Sequence, residues 1–414
     1  MHHFQLINSE LYAEELKVRD LAAEYGTPLY IYSAATLKRH YQAFDSAFEG
    51  LNHLTCFSVK CNSNLGVLGL LNGLGAGADI VSGGELYRAL QAGMDPGKIV
   101  FSGVGKQVHE IREALEAGIL MFNVESLPEL HLVNVTAKAM QRIAPVSLRI
   151  NPDVDPQTHP YISTGLKKNK FGISMDRALD LFRQARDLSH IEPIGIDCHI
   201  GSQLTDIAPF LEALERLKHL YARLQDEGIS VKYLDLGGGL GITYAEEEPP
   251  HPSEFGRALG ETLQDIEVTL ILEPGRVIAG NAGILVTRVL FVKESEAKRF
   301  VVVDAAMNDL IRPALYGAHH RISEVTPQGR PEALVDVVGP ICETGDFLAQ
   351  GRVLPGVESE EFLAVFSAGA YGFAMASQYN SRCRAAEVLV HGDQARLVRK
   401  RESYQDLVAL EDIP

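Results

Sequence analysis

Between residues 54 and 276, short apolar runs alternate with longer segments that have the periodicity of amphipathic helices. Runs of this size between helical segments are typical of parallel strands in strand–helix units. The eight runs are LTCFSVK (54–60), GADIVS (77–82), KIVFSG (98–103), ILMFNV (119–124), PVSLRINP (145–152), IGIDCHI (194–200), VKYLDLGGG (231–239) and VTLILEPGR (268–276). Eight such units predict a (β/α)8 barrel of the TIM type, which usually takes about 250 residues. A doubly wound sheet of eight strands has the same spacing and stays open as an alternative.

After residue 280 the pattern becomes rich in β-branched and apolar runs, separated by turn-rich segments with little helical periodicity. The runs cover residues 284–293, 299–305, 333–339, 361–369, 384–392 and 395–400. This pattern predicts a second domain built as an antiparallel β-sandwich or β-barrel. We therefore expect a barrel over residues 27–280, and a β-domain formed by residues 281–414 together with residues 1–26.

Composition and charge exclude several classes of protein. The 414 residues are 46% hydrophobic and 22% charged, which is typical of a globular chain and excludes a largely disordered one. The formal net charge of −16 argues against a general nucleic-acid binder and against attraction to anionic membranes. A local basic pocket for a small anion remains compatible with this charge.

The cysteines and the apolar stretches indicate the compartment. The five cysteines are odd in number and include no CxxC pair, so neither a disulfide framework nor a structural zinc site is expected. The N-terminal residues lack the pattern of a signal peptide. The most apolar stretch, Leu65 to Val81, is interrupted by Asn72 and Asp79 and is not a membrane span. We expect a soluble cytoplasmic protein.

Reactive side chains and glycines stand at or just after the ends of the predicted strands. They are Lys60, Ser82, Arg149, His199, the triplet Gly237, Gly238 and Gly239, then Glu273, Gly275 and Arg276. In a barrel all strands end at the same face, and active sites of such enzymes lie there. The sequence therefore predicts a site at the C-terminal ends of the strands.

Each of these residues also has an ordinary structural interpretation. A lysine after a strand is usually solvated, but at a barrel mouth Lys60 could form a Schiff base. The glycine triplet is either a turn or a loop whose backbone amides approach a phosphate. His199 is either a buried structural histidine or a functional one. Glu273 either pairs with Arg276 or holds a cationic ring nitrogen.

Taken together, the lysine, the glycine loop, the histidine and the carboxylate match the requirements of pyridoxal phosphate. Other cofactors fit less well. The glycines at 73–77 precede a strand, whereas a dinucleotide fingerprint places them between strand and helix. No HExxH motif or other metal-ligand pattern is present in the sequence, so no metal is expected.

Three further segments between the later strands are polar or turn-like: Arg312 to Tyr316, Cys342 to Asp346, and Ala368 to Gly372. Cys342 considered alone is more often a small buried residue. Tyr316 and Tyr371 considered alone are more often aromatics of a core or a surface. The residues by themselves leave these alternatives open.

Short motifs spread from about residue 25 to residue 380 resemble one known family. They are FSVKCN, DIVSGGEL, FNVES, RINPDVD, HPYISTGLKKNKFGI, HIGSQ, LDLGGGLGI, EPGR, RPALYGAHH, GPICETGD and AGAYG. In order and spacing they resemble the diaminopimelate decarboxylases, within the alanine-racemase-like fold group of pyridoxal-phosphate enzymes. The resemblance implies decarboxylation of meso-2,6-diaminopimelate to L-lysine and CO2 through a pyridoxal 5'-phosphate Schiff base, the last step of lysine biosynthesis.

The resemblance also implies how the cofactor is held, mainly by residues of the barrel. Lys60 would form the Schiff base, His199 would stack on the ring and Glu273 would bind the ring nitrogen. The residues expected at the phosphate are Ser202, Gly237, Gly238, Gly239, Gly275, Arg276 and Tyr371.

The same resemblance assigns substrate and dimer contacts mainly to the β-domain. The residues expected at the substrate are Arg276, Arg312, Tyr316, Glu343 and Tyr371. Glu343 would read the distal amino group, and Cys342 would donate a proton to the α-carbon. Cys342 and Glu343 would reach the active site of a partner subunit, so that a homodimer with shared active sites is expected, without nucleic acid or membrane as partner.

Four alternatives are weighed against this assignment. A decarboxylase of the same fold could act on another amino acid such as ornithine or arginine, but two arginines suit a substrate with an extra carboxylate. An amino-acid racemase of this fold would have no use for the distal pocket. A catalytically inactive regulator that binds a decarboxylase should have lost Lys60 or the glycine triplet. A carrier of free pyridoxal phosphate would need neither Arg312 nor Glu343. The sequence leaves open whether the segment from His159 to Lys170 closes over the substrate.

Overall fold

The computed structural model describes residues 2–155, 164–165, 170–296 and 298–414. The segment from His159 to Lys170 therefore lies largely outside the described residues. The chain divides into two compact units. The β unit comprises residues 1–40, 243–247 and 278–414, and the barrel unit comprises residues 41–242 and 248–277.

The strands, in chain order, are β1 (Phe4–Ile7), β2 (Glu10–Ala13), β3 (Leu16–Lys17), β4 (Leu29–Ser33), β5 (His53–Ser58), β6 (Gly77–Ile80), β7 (Ile99–Phe101), β8 (Met121–Val124), β9 (Ala144–Asn151), β10 (Ile173–Ser174), β11 (Ile191–Asp197), β12 (Tyr233–Asp235), β13 (Thr269–Leu272), β14 (Gly283–Glu294), β15 (Arg299–Val303), β16 (Ile322–Glu324), β17 (Glu332–Val338), β18 (Phe347–Pro355), β19 (Phe362–Val365), β20 (Ala386–His391) and β21 (Gln394–Arg399).

The helices, in chain order, are α1 (Val18–Tyr25), α2 (Ala34–Asp45), α3 (Leu65–Asn72), α4 (Gly83–Gln91), α5 (Val108–Ala117), α6 (Leu127–Ala139), α7 (Met175–Asp187), α8 (Ala208–Asp226), α9 (Pro252–Leu263), α10 (Arg276–Ala279), α11 (Arg312–Tyr316) and α12 (Tyr404–Val408). In the part of the chain that the structure describes, no helix combines the length and the apolar character needed to cross a bilayer.

The barrel unit contains a closed barrel of eight parallel strands. Its order is β5, β6, β7, β8, β9, β11, β12 and β13, and β13 pairs with β5 to close the ring. The strand β10 pairs with β9 outside the ring. Closure confirms the predicted (β/α)8 barrel and excludes the doubly wound sheet. The strands are continuous apolar runs because both of their faces are covered.

Two helices of the barrel, α4 and α6, begin at serines that follow strands β6 and β8. Ser82 follows β6, and its Oγ accepts a hydrogen bond from the Glu85 N–H at 3.2 Å at the start of α4. Ser126 caps α6 in the same way through the Glu129 N–H, at 3.3 Å. Such caps satisfy amides that the first helical turn leaves without a partner. Ser82 thus has a structural role at its strand end.

The β unit contains a nine-stranded sheet, as the β-rich pattern after residue 280 predicts. Its main order is β18, β17, β15, β14, β4, β20 and β21, and β19 pairs with both β14 and β16. Most neighbouring pairs are antiparallel, while β15 with β17 and β4 with β20 are parallel. A small antiparallel sheet of β1, β2 and β3 completes the unit. Its core contains Ile31, Val286 and Val388 from three adjacent strands.

Some strands of the β unit differ from the sequence interpretation, and β4 and β18 show why. The strand β4 falls in the range predicted for the barrel, but it pairs with β14 and β20. A fully buried apolar run such as LYIYS has the same pattern in either setting. The strand β18 was not predicted, because Gln350, Gly351 and Arg352 interrupt its apolar pattern. The domain limits, 27–280 for the barrel and 281–414 with 1–26 for the β-domain, stay a prediction.

Candidate active site

Lys60 lies in a single helical turn, residues 59–61, that directly follows β5. Its Nζ donates a hydrogen bond to Oδ2 of Asp79, and Ser58 Oγ donates to the same oxygen at 2.6 Å. Asp79 lies in β6 with no exposed surface, whereas 33% of the Lys60 side chain is exposed. The amine is therefore accessible and at the same time oriented by a buried carboxylate.

The sequence pattern indicates Asp79 only as an interruption of an apolar stretch, so it does not reveal the contact of Asp79 with Lys60. A signal was available: every residue of β6 is buried, and a carboxylate in such a strand needs a partner. Within the described residues its second oxygen, Oδ1, accepts no hydrogen bond.

Glu273 follows β13 and is buried within a group of polar side chains from neighbouring strands. Its Oε1 accepts hydrogen bonds from Ser102 Oγ at 3.3 Å and from Asn123 Nδ2 at 3.4 Å, and Asn123 Nδ2 also donates to Asp235 Oδ2 at 3.1 Å. Burial raises the pKa of Glu273 well above its usual value, and the nearby Asp235 carboxyl raises it further. A cationic group beside Glu273 would supply a counter-charge that favours its ionised form.

His199 follows β11 and is half-buried. Its Nδ1 accepts a hydrogen bond from the Gly238 N–H at 3.2 Å, which places the proton of a neutral ring on Nε2. Burial lowers the pKa of His199 well below its usual value, and the charges of Arg149 and Lys60 lower it further. The imidazole is therefore neutral near pH 7, which suits a ring that stacks on another aromatic ring.

The glycine triplet after β12 adopts a backbone that other residues cannot follow. Gly237 and Gly239 have φ values of 64° and 125°, in the left-handed region. A Cβ on Gly238 would lie 2.2 Å from the backbone oxygen of Glu273, and one on Gly239 would lie 2.6 Å from that of Gly201. The triplet is thus packed directly against the loops that carry His199 and Glu273.

Ser202 and Arg276 lie beside this glycine loop. The Leu204 N–H donates to Gly239 O at 2.9 Å, and the Gly241 N–H donates to Leu204 O at 2.8 Å, so the two loops run side by side. Ser202 Oγ accepts a hydrogen bond from Arg276 Nη2 at 2.9 Å. A hydroxyl, a guanidinium and a glycine-rich backbone at one place form a suitable site for a phosphate.

Gly275 brings the loop after β13 against the turn that carries Lys60. A Cβ on Gly275 would lie 3.0 Å from Ser58 Cβ and 3.1 Å from Cys61 Cβ, and the Ser58 N–H donates to Pro274 O at 3.1 Å. The loops that carry Glu273 and Arg276 on one side and Lys60 on the other are therefore in direct contact.

Arg149 was grouped with the reactive strand-end residues, but the structure gives it a different environment. It is buried in β9, with Nη1 at 2.9 Å from Glu125 Oε1 and Nε at 3.8 Å from Asp197 Oδ2. Its charge balances buried carboxylates of neighbouring strands, as buried charges require. The expectation that Arg149 belongs to the reactive group is corrected to a structural ion pair.

In the β unit, the buried Arg312 begins α11. Its Nε donates to His320 Nε2 at 3.3 Å, and its guanidinium lies 4.9 Å from the ring centre of Tyr244 and 5.8 Å from that of Tyr316. These contacts fix the plane of the guanidinium, as two-point binding of a carboxylate requires. The sequence indicated Arg312 and Tyr316 but not His320 or Tyr244.

Cys342 and Glu343 lie in the loop between β17 and β18, and both are exposed. The interpretation of Cys342 as a small buried residue is therefore wrong. Tyr371 is half-buried and has a left-handed backbone, with φ of 55°. All five cysteines, at 56, 61, 198, 342 and 383, have free thiols.

The structure thus gathers one group of the predicted residues at the ends of the barrel strands. They are Lys60, His199, Ser202, Gly237, Gly238, Gly239, Glu273, Gly275 and Arg276. The others belong to the β unit, where Arg312 contacts Tyr316, and Cys342 adjoins Glu343 in one loop. These others are Arg312, Tyr316, Cys342, Glu343 and Tyr371.

The barrel residues fit pyridoxal phosphate. They supply an accessible amine, a glycine loop with a hydroxyl and a guanidinium, a neutral imidazole, and a buried carboxyl that a cationic nitrogen would complement. Among the described residues, no group of three or more His, Cys, Asp or Glu side chains is arranged to hold a metal ion.

A family model described as the pyridoxal binding domain of pyridoxal-dependent decarboxylases matches residues 34–280, more than half of the chain. Fold, site and match together define a pyridoxal-phosphate-dependent decarboxylase.

The curated relatives narrow this class. A diaminopimelate decarboxylase of Haemophilus influenzae is 55% identical over 413 residues, covering 99% of either chain. One of Pseudomonas aeruginosa is also 55% identical, covering 100% of this chain and 99% of its own. The chain therefore belongs to the diaminopimelate decarboxylase family.

Solved structures of diaminopimelate decarboxylases are also similar to this chain. The diaminopimelate decarboxylase of Helicobacter pylori complexed with L-lysine has a TM-score of 0.92 and 44% identity, and covers 95% of this chain and 98% of its own. The enzyme of M. jannaschii in complex with L-lysine has a TM-score of 0.95 and 39% identity, and covers 100% and 99%. A lysine/ornithine decarboxylase of Vibrio vulnificus, at 23% identity and a TM-score of 0.80, shares the fold.

Proposed function

We propose that this chain removes CO2 from meso-2,6-diaminopimelate and releases L-lysine, the last step of lysine biosynthesis. The observation that carries the proposal is the group formed by Lys60, His199, the glycine triplet and Glu273 at one end of the barrel. Two diaminopimelate decarboxylases that are 55% identical to this chain over its full length support the proposal. L-lysine, the expected product, is bound in two solved relatives.

The cofactor-holding residues are proposed as follows. When bound, pyridoxal phosphate supplies an electron sink for the carbanion that loss of CO2 would leave. Lys60 holds the cofactor covalently, His199 covers a ring face, and Glu273 holds the proton of the ring nitrogen. The phosphate is held by Ser202, Gly237, Gly238, Gly239, Gly275, Arg276 and Tyr371.

The substrate carries a second ammonium and carboxylate at its distal end, and the proposed contacts match these charges. Arg276 and Arg312, with Tyr316 and Tyr371, bind the carboxylate that is not lost, because a guanidinium offers it paired donors. Glu343 accepts hydrogen bonds from the distal ammonium. Cys342 delivers the proton that replaces CO2 at the α-carbon.

We further propose that the enzyme works as a homodimer with shared active sites in the cytoplasm. Cys342 and Glu343 would serve the site of the partner subunit, which accounts for two adjacent exposed polar residues in one loop. Five free thiols support a reducing compartment.

The test is CO2 release by cofactor-loaded protein offered meso-diaminopimelate, L-lysine, L-ornithine and L-arginine in parallel. Release from meso-diaminopimelate alone, with L-lysine as product, supports the proposal. Release mainly from one of the others overturns the distal roles of Arg276, Arg312 and Glu343 while keeping the cofactor. No release from any of the four, with the cofactor bound, contradicts decarboxylation and favours a racemase or a regulator.

A further inference from the structure

The loop between β17 and β18 is fastened at its base by Asp346. Its Oδ1 accepts the Met307 N–H at 2.7 Å, and its Oδ2 accepts the Ile341 N–H at 2.7 Å. Asp346 is buried. These bonds fix the two ends of the segment 341–346, but they do not reach the side chains of Cys342 and Glu343 at its tip.

A second segment, the turn Tyr379–Ser381, contacts this tip at two points. Asn380 Oδ1 accepts a hydrogen bond from the Cys342 N–H at 2.9 Å. The Tyr379 hydroxyl donates to Glu343 Oε2 at 2.6 Å. Each of the two adjacent residues of the loop tip is therefore held by one of two adjacent residues of the turn.

The turn is itself fixed by contacts that do not involve the loop. The Ser377 N–H donates to Asn308 O at 2.9 Å, and Gln378 Nε2 donates to Glu402 Oε2 at 3.0 Å. Asn380 has a left-handed backbone, with φ of 55° and ψ of 27°, which asparagine tolerates better than most residues. The turn thus presents the Tyr379 hydroxyl and the Asn380 amide at defined positions.

We propose that Tyr379 and Asn380 are positioning residues for the decarboxylation of a substrate with a distal ammonium group. Tyr379 sets the direction of the Glu343 carboxylate, and Asn380 sets the backbone that carries Cys342. The proposal rests on the roles proposed above for Glu343 and Cys342.

The hydrogen bond from Tyr379 uses one carboxylate oxygen and leaves the other for a ligand. Within the described part of the chain, Glu343 Oε1 accepts no hydrogen bond. An exposed glutamate with no such restraint would lose side-chain freedom when it binds an ammonium, and affinity would fall. The hydrogen bond to Glu343 also raises the pKa of Tyr379, so the phenol remains a donor at neutral pH.

The variant Tyr379→Phe keeps the ring and removes the hydroxyl. We expect the KM for meso-diaminopimelate to rise about tenfold, as loss of one hydrogen bond to a charged group allows, with kcat within about twofold. Discrimination against 2-aminopimelate, which lacks the distal amino group, should fall by a similar factor. Glu343→Gln should reduce the same discrimination, and adding Tyr379→Phe to it should change nothing more, because the two act as one unit.

Asn380 offers a matched pair of variants. Asn380→Asp keeps an acceptor for the Cys342 N–H and tolerates the left-handed backbone, whereas Asn380→Gly keeps the backbone and removes the acceptor. We expect Asn380→Gly to lower kcat about tenfold with KM within about twofold, and Asn380→Asp to stay within about threefold of the wild type in both. Tyr404→Phe, at an exposed tyrosine of the same unit, is the control and should change neither constant.

The outcomes separate the positioning proposal from the roles on which it rests. If Glu343→Gln leaves the discrimination unchanged, the role of Glu343 is overturned and that of Tyr379 with it. If Glu343→Gln lowers the discrimination but Tyr379→Phe does not, only the positioning role of Tyr379 is overturned. Equal losses of kcat in Asn380→Gly and Asn380→Asp would overturn the role of Asn380.

Discussion

The Nζ atom of Lys60 donates a hydrogen bond to Oδ2 of Asp79, a carboxylate that has no exposed surface. The lysine is thereby held at the barrel mouth by a charge that solvent does not screen. Charge-assisted hydrogen bonds of this kind are roughly twice as strong as neutral ones. Asp79 therefore orients the amine that the proposed function assigns to the cofactor.

Replacing Asp79 by asparagine keeps its size and removes its charge. We expect the kcat of CO2 release from meso-diaminopimelate to fall about tenfold or more, since a hydrogen bond to a charged group contributes about 1.5–3 kcal/mol. Steady-state assays of the cofactor-saturated variant measure this fall. Ser58→Ala removes only the neutral donor to the same carboxylate and should have a smaller effect; a larger effect would contradict the role of Asp79.

Lys60→Ala removes the amine itself. We expect no covalent attachment of the cofactor, because no other described lysine lies in this turn. Treatment of the cofactor-loaded protein with borohydride should add the mass of the reduced cofactor to the wild type and not to the variant. Turnover of the variant at the normal rate would refute the role of Lys60.

Gly239→Ala tests the glycine loop. The added Cβ would lie 2.6 Å from Gly201 O at a φ of 125°, so the loop must shift. Strain of this kind costs about 1–3 kcal/mol, and we expect the Kd for pyridoxal phosphate to rise about tenfold or more.

The matched control for the glycine loop is Gly228→Ala. Gly228 also has a positive φ, of 70°, but a Cβ there would meet nothing within 4 Å. Gly228→Ala should lower the unfolding temperature of the protein. Titrations of the apoprotein should show an unchanged affinity for the cofactor. Equal losses of cofactor affinity in both variants would mean that the losses result from backbone strain alone and not from the displaced glycine loop.

Asp309, in the β unit, predicts a pH dependence of stability. It is buried, its Oδ2 accepts the Ala306 N–H at 3.0 Å, and burial raises its pKa to about 7. In the unfolded chain the pKa is about 3.9, so the stability that the neutral form contributes is complete below pH 4 and is lost as the pH rises to 7. Asp309→Asn keeps a neutral acceptor and should therefore stabilise the protein by about 2–4 kcal/mol at pH 8 and much less at pH 4.5. Chemical unfolding at both pH values measures this difference; equal effects at the two values would contradict it.

The barrel could be predicted because each of its strands is a short apolar run that ends at a polar or glycine position. Lys60 and Glu273 could be found for the same reason, since they stand at such ends. The sequence interpretation places Arg149 at such an end too, but β9 continues to Asn151 and the buried Arg149 pairs with Glu125. A position at a strand end predicts on which face of the barrel a side chain lies. The partner of a charged side chain depends instead on which strands are neighbours and on their register, which the sequence does not show.

The residues that were missed act across strands or loops distant in sequence. Asp79 meets Lys60 from the next strand, and Asn123 joins Asp235 and Glu273 through side-chain hydrogen bonds. Tyr379 reaches Glu343 over 36 positions. No periodicity encodes such contacts, because each depends on how the elements pack in three dimensions.

The position of β4 in its sheet has a consequence for synthesis of the chain. β4 lies between β14 and β20, and its partners in β20 are 357 positions further along, as Tyr32 paired with Leu389 shows. A ribosome delivers all eight barrel strands before either neighbour of β4 exists. During that interval β4 has two unpaired apolar edges, and exposed edges of this kind favour aggregation. Nascent chains that stall before residue 386 should therefore depend on chaperones more than the complete chain does.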